Sequence, residues 1–154
     1  MEIERKFLID RLPDGLEKYD FHIIEQGYLN TDPVVRVRRS DDEYYLTYKG
    51  RGLMVREEYN LPLNADAYAH LIDKADGNVI RKKRYLIPIE ETSLTIELDV
   101  FDEPFAPLVL AEVEFENEED ALAFVPPAWF GEDVTNDTEY HNSTMSRKVF
   151  GSGE

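Results

Sequence analysis

Glu2, Glu4 and Lys6 share one parity of the opening stretch MEIERKF, and Ile3, Arg5 and Phe7 share the other. If the stretch is extended, two carboxylates and an ammonium stand in a row on one face, with i and i+2 side chains about 6–7 Å apart. The arrangement recurs downstream. Same-parity positions carry Arg36 and Arg38, then Thr47 and Lys49, then Arg56, Glu58 and Asn60. They continue with Lys82 and Arg84, Glu97 and Asp99, and Glu112 and Glu114. Carboxylates at that spacing can converge on one hard cation, while Lys and Arg from several strands can hold an anion with many oxygens. A sheet wetted on one face also alternates apolar and charged residues, and any one of these strands alone reads that way. Taken together they read otherwise. A wet face mixes Ser, Thr, Asn and Gln with its charges, whereas these positions are mostly charged and are segregated into acidic and basic strands.

Short strands must position these side chains. Period-two alternation broken by Pro, Gly, Asn and Asp predicts eight, over 2–9, 23–29, 34–39, 43–49, 54–61, 79–87, 93–101 and 108–116. RSDDEYY at 39–45 and YKGRGL at 48–53 read as hairpin turns, so 34–61 forms an antiparallel meander. In 79–87 the parity is ambiguous, because Arg81 and Lys83 form an alternative pair to Lys82 and Arg84. Helical spacing predicts a helix over 65–75, stopped by Gly77, and a second in NEEDALAFV capped by Asn117 and ended by Pro126 and Pro127. A third is expected within 137–149, and Trp129 in PPAWFG reads as turn or core packing. The expected fold is β-rich α+β: a closed eight-stranded antiparallel barrel with a few helices packed outside, since closure removes exposed strand edges. One domain over 1–150 is expected, followed by a tail, 151–154.

With the charged face turned inward, the lumen becomes a tunnel whose ions must compensate one another and a bound ligand. A polyphosphate chain carrying Mg²⁺ or Mn²⁺ meets both requirements, the metal neutralising charge as a P–O bond breaks and orienting water for in-line attack. The chain has no Walker A motif: KGRG at 49–52 has neither its spacing nor its Ser/Thr. Cysteine is absent, and His22, His70 and His141 are scattered, which points any metal site to oxygen ligands. Thirty-three acidic against 17 basic residues give a net charge of −16, which disfavours nucleic acid and anionic lipid as partners. With no apolar stretch long enough to span a bilayer and an acidic start, a cytoplasmic protein is expected.

The residues now support a resemblance. The opening EIERKF carries the ExExK signature of the CYTH superfamily, the triphosphate tunnel metalloenzymes. VRVRR, LTYKG, REEYN, KKRY, ELD and EVE follow in the order that family shows, and VTNDTEYHNSTMSR resembles its C-terminal helix. The match covers nearly the whole chain. It implies an antiparallel tunnel that binds a triphosphate with divalent metal. Carried over by position, Glu2, Glu4 and Glu114 resemble the main metal site, with Glu58, Asp99 and Glu112 placed for a second metal or the attacking water. Lys6, Arg36, Arg38, Lys49, Arg56, Lys82 and Arg84 resemble the phosphate-binding set. Lys49 or Lys82, with Tyr28, is implicated in proton transfer, for which a Lys needs a depressed pKa. Glu97, Arg147 and Lys148 are weaker candidates, and Asn60 stands where many relatives carry an acid. The short chain leaves little room for a nucleobase pocket, and small bacterial-type members have this length. The leading expectation is therefore a small bacterial-type tripolyphosphatase that hydrolyses inorganic triphosphate to pyrophosphate and phosphate. Thiamine or nucleoside triphosphate hydrolysis, a class IV-type adenylyl cyclase and a non-catalytic polyphosphate-binding module are the alternatives. A homodimer is left open.

Overall fold

The alternation that starts at Glu2 folds as nine antiparallel strands in a computed structural model, which describes residues 2–150. The expected tail 151–154 lies outside the described residues. The strands are β1 (Glu2–Leu8), β2 (Phe21–Thr31), β3 (Val34–Ser40), β4 (Glu43–Lys49), β5 (Val55–Arg56), β6 (Glu58–Leu63), β7 (Asp76–Pro88), β8 (Thr95–Phe101) and β9 (Val109–Glu114). Three short helices, α1 (Ala65–Ile72), α2 (Glu118–Ala123) and α3 (Asn142–Ser146), join them. One sheet runs in the order β5-β1-β9-β8-β7-β2-β3-β4-β6. Its two ends are consecutive in sequence. The single strand expected over 54–61 is divided at Glu57, because β5 pairs with β1 (Glu2 opposite Arg56) while β6 pairs with β4 (Lys49 opposite Glu58). The chain thus crosses from one sheet edge to the other, nearly closing the barrel and raising the count from eight strands to nine.

Both faces of the strands are used. On β8 and β9, Ile96, Leu98, Ala111 and Val113 point outward into a core with Ile9, Ile87, Phe115 and Ala121 of α2, flanked by Trp129 and Phe130. Arg5 ties this layer down: its guanidinium donates to the carbonyls of Ala121 (3.1 Å) and Phe124 (2.9 Å), satisfying groups that the end of α2 leaves free. Asn117 caps the start of α2 as expected, its side-chain oxygen accepting from Asp120 N–H at 2.7 Å.

The inward face is charged over only part of its length. Val34, Ile80, Phe101 and Leu110 share the parity of Arg36, Lys82, Asp99 and Glu112. They cluster with Tyr28, Phe105, Val134 and Met145 of α3, so an apolar plug fills one region of the lumen beside the charges. In β7 the ambiguous parity resolves: Lys82 and Arg84 are buried, and Arg81 and Lys83 are exposed. The first helix ends at Ile72, short of its expected end, and Gly77 lies inside β7 with φ +70°. The segment 137–149 forms a 3-10 turn (Thr138–Tyr140) before α3 rather than one helix. Among the described residues no helix is long and apolar enough to cross a membrane.

Candidate active site

A cavity of about 210 Å³ opens inside the barrel. Its wall includes Glu2, Glu4 and Lys6 from β1, Arg36 and Arg38 from β3, Lys49 from β4, Arg56 from β5 and Glu58 and Asn60 from β6. Tyr28, Arg84, Glu97, Glu112 and Glu114 complete the strand side, and Thr135, His141, Asn142 and Ser143 come from the C-terminal segment. Every strand contributes through the same period-two parity that separates charge from apolar packing in the sequence. Lys82 and Asp99 do not line the cavity. They form a buried pair at 2.7 Å behind it, joined by Arg84, whose guanidinium donates to both Asp99 oxygens at 2.7 and 2.9 Å. Arg147 and Lys148 are exposed.

The charges divide into paired and unpaired groups. Lys49 sits between Glu2 (3.0 Å) and Glu58 (3.3 Å). Lys6 pairs with Glu112 at 3.2 Å and donates to the Tyr140 carbonyl at 3.0 Å. Arg84 bridges Glu112 (3.0 Å), Glu97 (3.3 Å) and Asp99. Among the described residues, Arg36, Arg38 and Arg56 make no ion pair. Arg38 donates to the Gln26 side-chain oxygen at 2.7 Å and Arg56 to the Gly50 carbonyl at 3.1 Å, while the buried Nε of Arg36 has no acceptor. Three guanidiniums therefore face the cavity with donors to spare, which is the donor set an oxyanion needs. Burial, then the charges of Arg36 and Arg84, lowers Arg38 to about 9, so it stays charged at neutral pH.

The carboxylates split in the opposite sense. Burial, then the neighbouring charge of Glu4, pushes Glu2 up to about 7; burial, then Glu112, does the same to Glu4. Burial, then Glu2, also raises Glu114. Glu4 and Glu114 take no ion pair or side-chain hydrogen bond among the described residues. Burial works against ionisation of Glu58, but a hydrogen bond with Glu2 and the Lys49 charge outweigh it and hold Glu58 at about 2. Asp99 and Glu112 likewise stay below the usual carboxylate range, because Arg84, Lys82 and Lys6 outweigh their burial.

Crowded, raised carboxylates facing a cavity suit a hard divalent cation, which would neutralise them. Among the described residues no three ligands converge into a ready-made cage. That agrees with the habit of Mg²⁺, which binds through one or two carboxylates and fills its shell with phosphate oxygens and water. Glu2, Glu4 and Glu114 fit such an ion. Asp99 and Glu112, expected beside them, have their oxygens engaged by Lys6, Lys82 and Arg84.

Several wall residues escape sequence reading. Gln26, which orients Arg38, has no charge to mark it. Thr135, which accepts the Lys6 N–H at 3.0 Å, and the His141–Ser143 run lie outside any strand, so no periodicity announces them.

A nearly closed antiparallel barrel with paired and unpaired charges inside it defines a tunnel for a polyanion and a metal ion. The chain belongs to the CYTH domain family, which it matches over residues 1–146. It is 39% identical over 153 residues to the inorganic triphosphatase of Nitrosomonas europaea, covering 96% of this chain and 98% of the relative. It is 33% identical over 155 residues to the inorganic triphosphatase of Acetivibrio thermocellus, covering 97% and 95%. A crystal structure of an inorganic triphosphatase matches the fold with a TM-score of 0.74 and 37% identity, over 98% of this chain and 97% of that one. Triphosphatases of this family are metal-dependent in general.

Proposed function

We propose that this chain hydrolyses inorganic triphosphate to pyrophosphate and phosphate inside the barrel, with Mg²⁺ or Mn²⁺ as cofactor. The observation that carries the reading is the pairing, in one cavity, of three guanidiniums without carboxylate partners with raised, crowded carboxylates. Arg36, Arg38 and Arg56 bind the phosphate oxygens, and Lys6, Lys49 and Arg84 add positive charge while keeping Glu112, Glu2 and Glu58 in place. Glu2, Glu4 and Glu114 hold the metal ion, which when bound would polarise phosphoryl oxygens and neutralise charge on the leaving pyrophosphate. Water attacks a terminal phosphorus in line, a P–O bond forms to it, and the bridging P–O bond breaks.

The proton of that water needs an acceptor. Lys49 has its amine engaged by Glu2 and Glu58 and lies between them rather than free toward a water. Burial pushes Lys82 down to about 7, the direction a Lys base requires, yet it donates to Asp99 behind the wall. Glu58, ionised at about 2 and oriented by Asn60 (2.9 Å) and Lys49, is placed to orient the attacking water by accepting a hydrogen bond from it, while the proton leaves with the more basic phosphate product. Tyr28 lines the cavity close to Arg38 and is placed to position the substrate. The reading carries a free small-molecule substrate and a cytoplasmic setting.

Phosphate release from tripolyphosphate, ATP, thiamine triphosphate and pyrophosphate, each with Mg²⁺, Mn²⁺ and Ca²⁺, tests it. Selective turnover of tripolyphosphate is expected. Preference for ATP, or cyclic AMP among the products, would overturn it.

A further inference from the structure

His141 is a cavity-wall residue that the mechanism above leaves unused. Its backbone is held on both sides, with its N–H donating to the Thr138 carbonyl at 3.1 Å and its own carbonyl accepting from Met145 N–H at 2.9 Å. The ring is therefore presented by a fixed corner between the 3-10 turn and α3. The largest charge effects on it come from cations on three strands, Lys6 of β1, Arg56 of β5 and Lys49 of β4, while a hydrogen bond with the Thr135 backbone acts in the opposite direction. The carboxylates of Glu2 and Glu4 of β1, Glu58 of β6, Glu97 of β8 and Glu112 and Glu114 of β9 share the cavity with it, as do Tyr28 of β2, Arg36 and Arg38 of β3 and Arg84 of β7. Burial, then Lys6 and Arg56, pushes the imidazole down to about 4, which leaves it neutral at physiological pH before any ligand binds.

A docked polyphosphate reverses the field at this ring. Its oxygens would lie among the same cations and outweigh them, and a low-dielectric cavity makes such terms large. We propose that His141 is a phosphate-contacting residue that takes one proton from solvent as the polyanion docks, so the wall gains a further cation only when occupied. The proton goes onto a ring nitrogen lone pair; no ligand bond forms or breaks. A permanent cation at this corner would add to the repulsion among Lys6, Lys49 and Arg56 in the unliganded protein, and a switchable one avoids that cost. The inference rests on the reading of the cavity as a triphosphate site.

Histidine C2 proton resonances of the full chain without metal, assigned with His141→Gln, would be followed against pH with and without sodium tripolyphosphate. Calorimetry on the same samples reports binding. The His141 midpoint is expected to rise by about three units on binding, with His22 and His70 nearly still. His141→Gln is expected to weaken tripolyphosphate about tenfold near pH 6 and little near pH 8. Binding that leaves the His141 resonance unmoved, or an equal loss of affinity at both pH values, overturns the inference and leaves the triphosphate reading standing. Failure of tripolyphosphate to bind with or without Mg²⁺ sinks both.

Discussion

Glu2 and Glu4 illustrate how one side chain can belong both to folding and to chemistry. Each has a carboxyl held at about 7 against an ordinary 4.5, so the folded, metal-free protein keeps protons that the unfolded chain has released. Their contribution to stability is present below about pH 4.5 and is lost as pH rises through about 7. Glu58, Asp99 and Glu112 are shifted the other way, and their contribution is lost only in acid. Thermal melts of chelator-treated protein should therefore show a lower Tm near pH 8 than near pH 6. Mg²⁺ should raise Tm more at the higher pH, where it does not compete with protons. An equal Mg²⁺ effect at both would place the metal elsewhere. Glu4→Gln keeps the shape of the side chain and removes its charge; it should lower kcat about 100- to 1000-fold with saturating Mg²⁺, with circular dichroism unchanged. Wild-type phosphate release from that variant would remove Glu4 from the metal set.

Elements decide where those side chains meet. The parity of β1, β3, β8 and β9 is legible in the sequence because period two places every second residue on one face. The divided strand at Glu57 is not, since it depends on which neighbours β5 and β6 find after the sheet curls. The C-terminal wall is likewise a product of docking. Gly77 in β7 has φ +70° and lies against the backbone of Ser146 at the end of α3, so an added Cβ would collide with the Ser146 carbonyl. Asn78 reinforces the joint, its amide donating to the Lys148 carbonyl at 2.7 Å. Gly77→Ala is expected to cost about 1–3 kcal/mol in urea unfolding and to raise KM for tripolyphosphate, because α3 carries the His141–Ser143 wall. A destabilised variant with unchanged KM would show that the wall does not depend on this joint.

At the scale of the whole molecule, a net charge of −16 must admit a polyanionic substrate. The cations that attract it lie inside the barrel, while the acidic exterior repels it at long range. Raising ionic strength from about 0.01 to 0.15 M shortens the Debye length from about 30 to about 8 Å. Association of tripolyphosphate followed by stopped flow should become faster over that range as the exterior is screened. A steep slowing would mean that local attraction at the cavity mouth dominates capture.

Alternation, turn residues and the order of charged motifs were enough to specify an antiparallel barrel whose strands carry one charged face, and to name most of the residues on the cavity wall. These are local properties: each is set by spacing along one strand. Closure through β5 and β6, the apolar plug around Ile80 and Leu110, and the retreat of Lys82 and Asp99 behind Arg84 required the tertiary structure. So did the arrival of His141 at the cavity. Each of these is a contact between residues far apart in the chain, decided by how the curled sheet and its C-terminal segment pack, and no periodicity within a single strand encodes it.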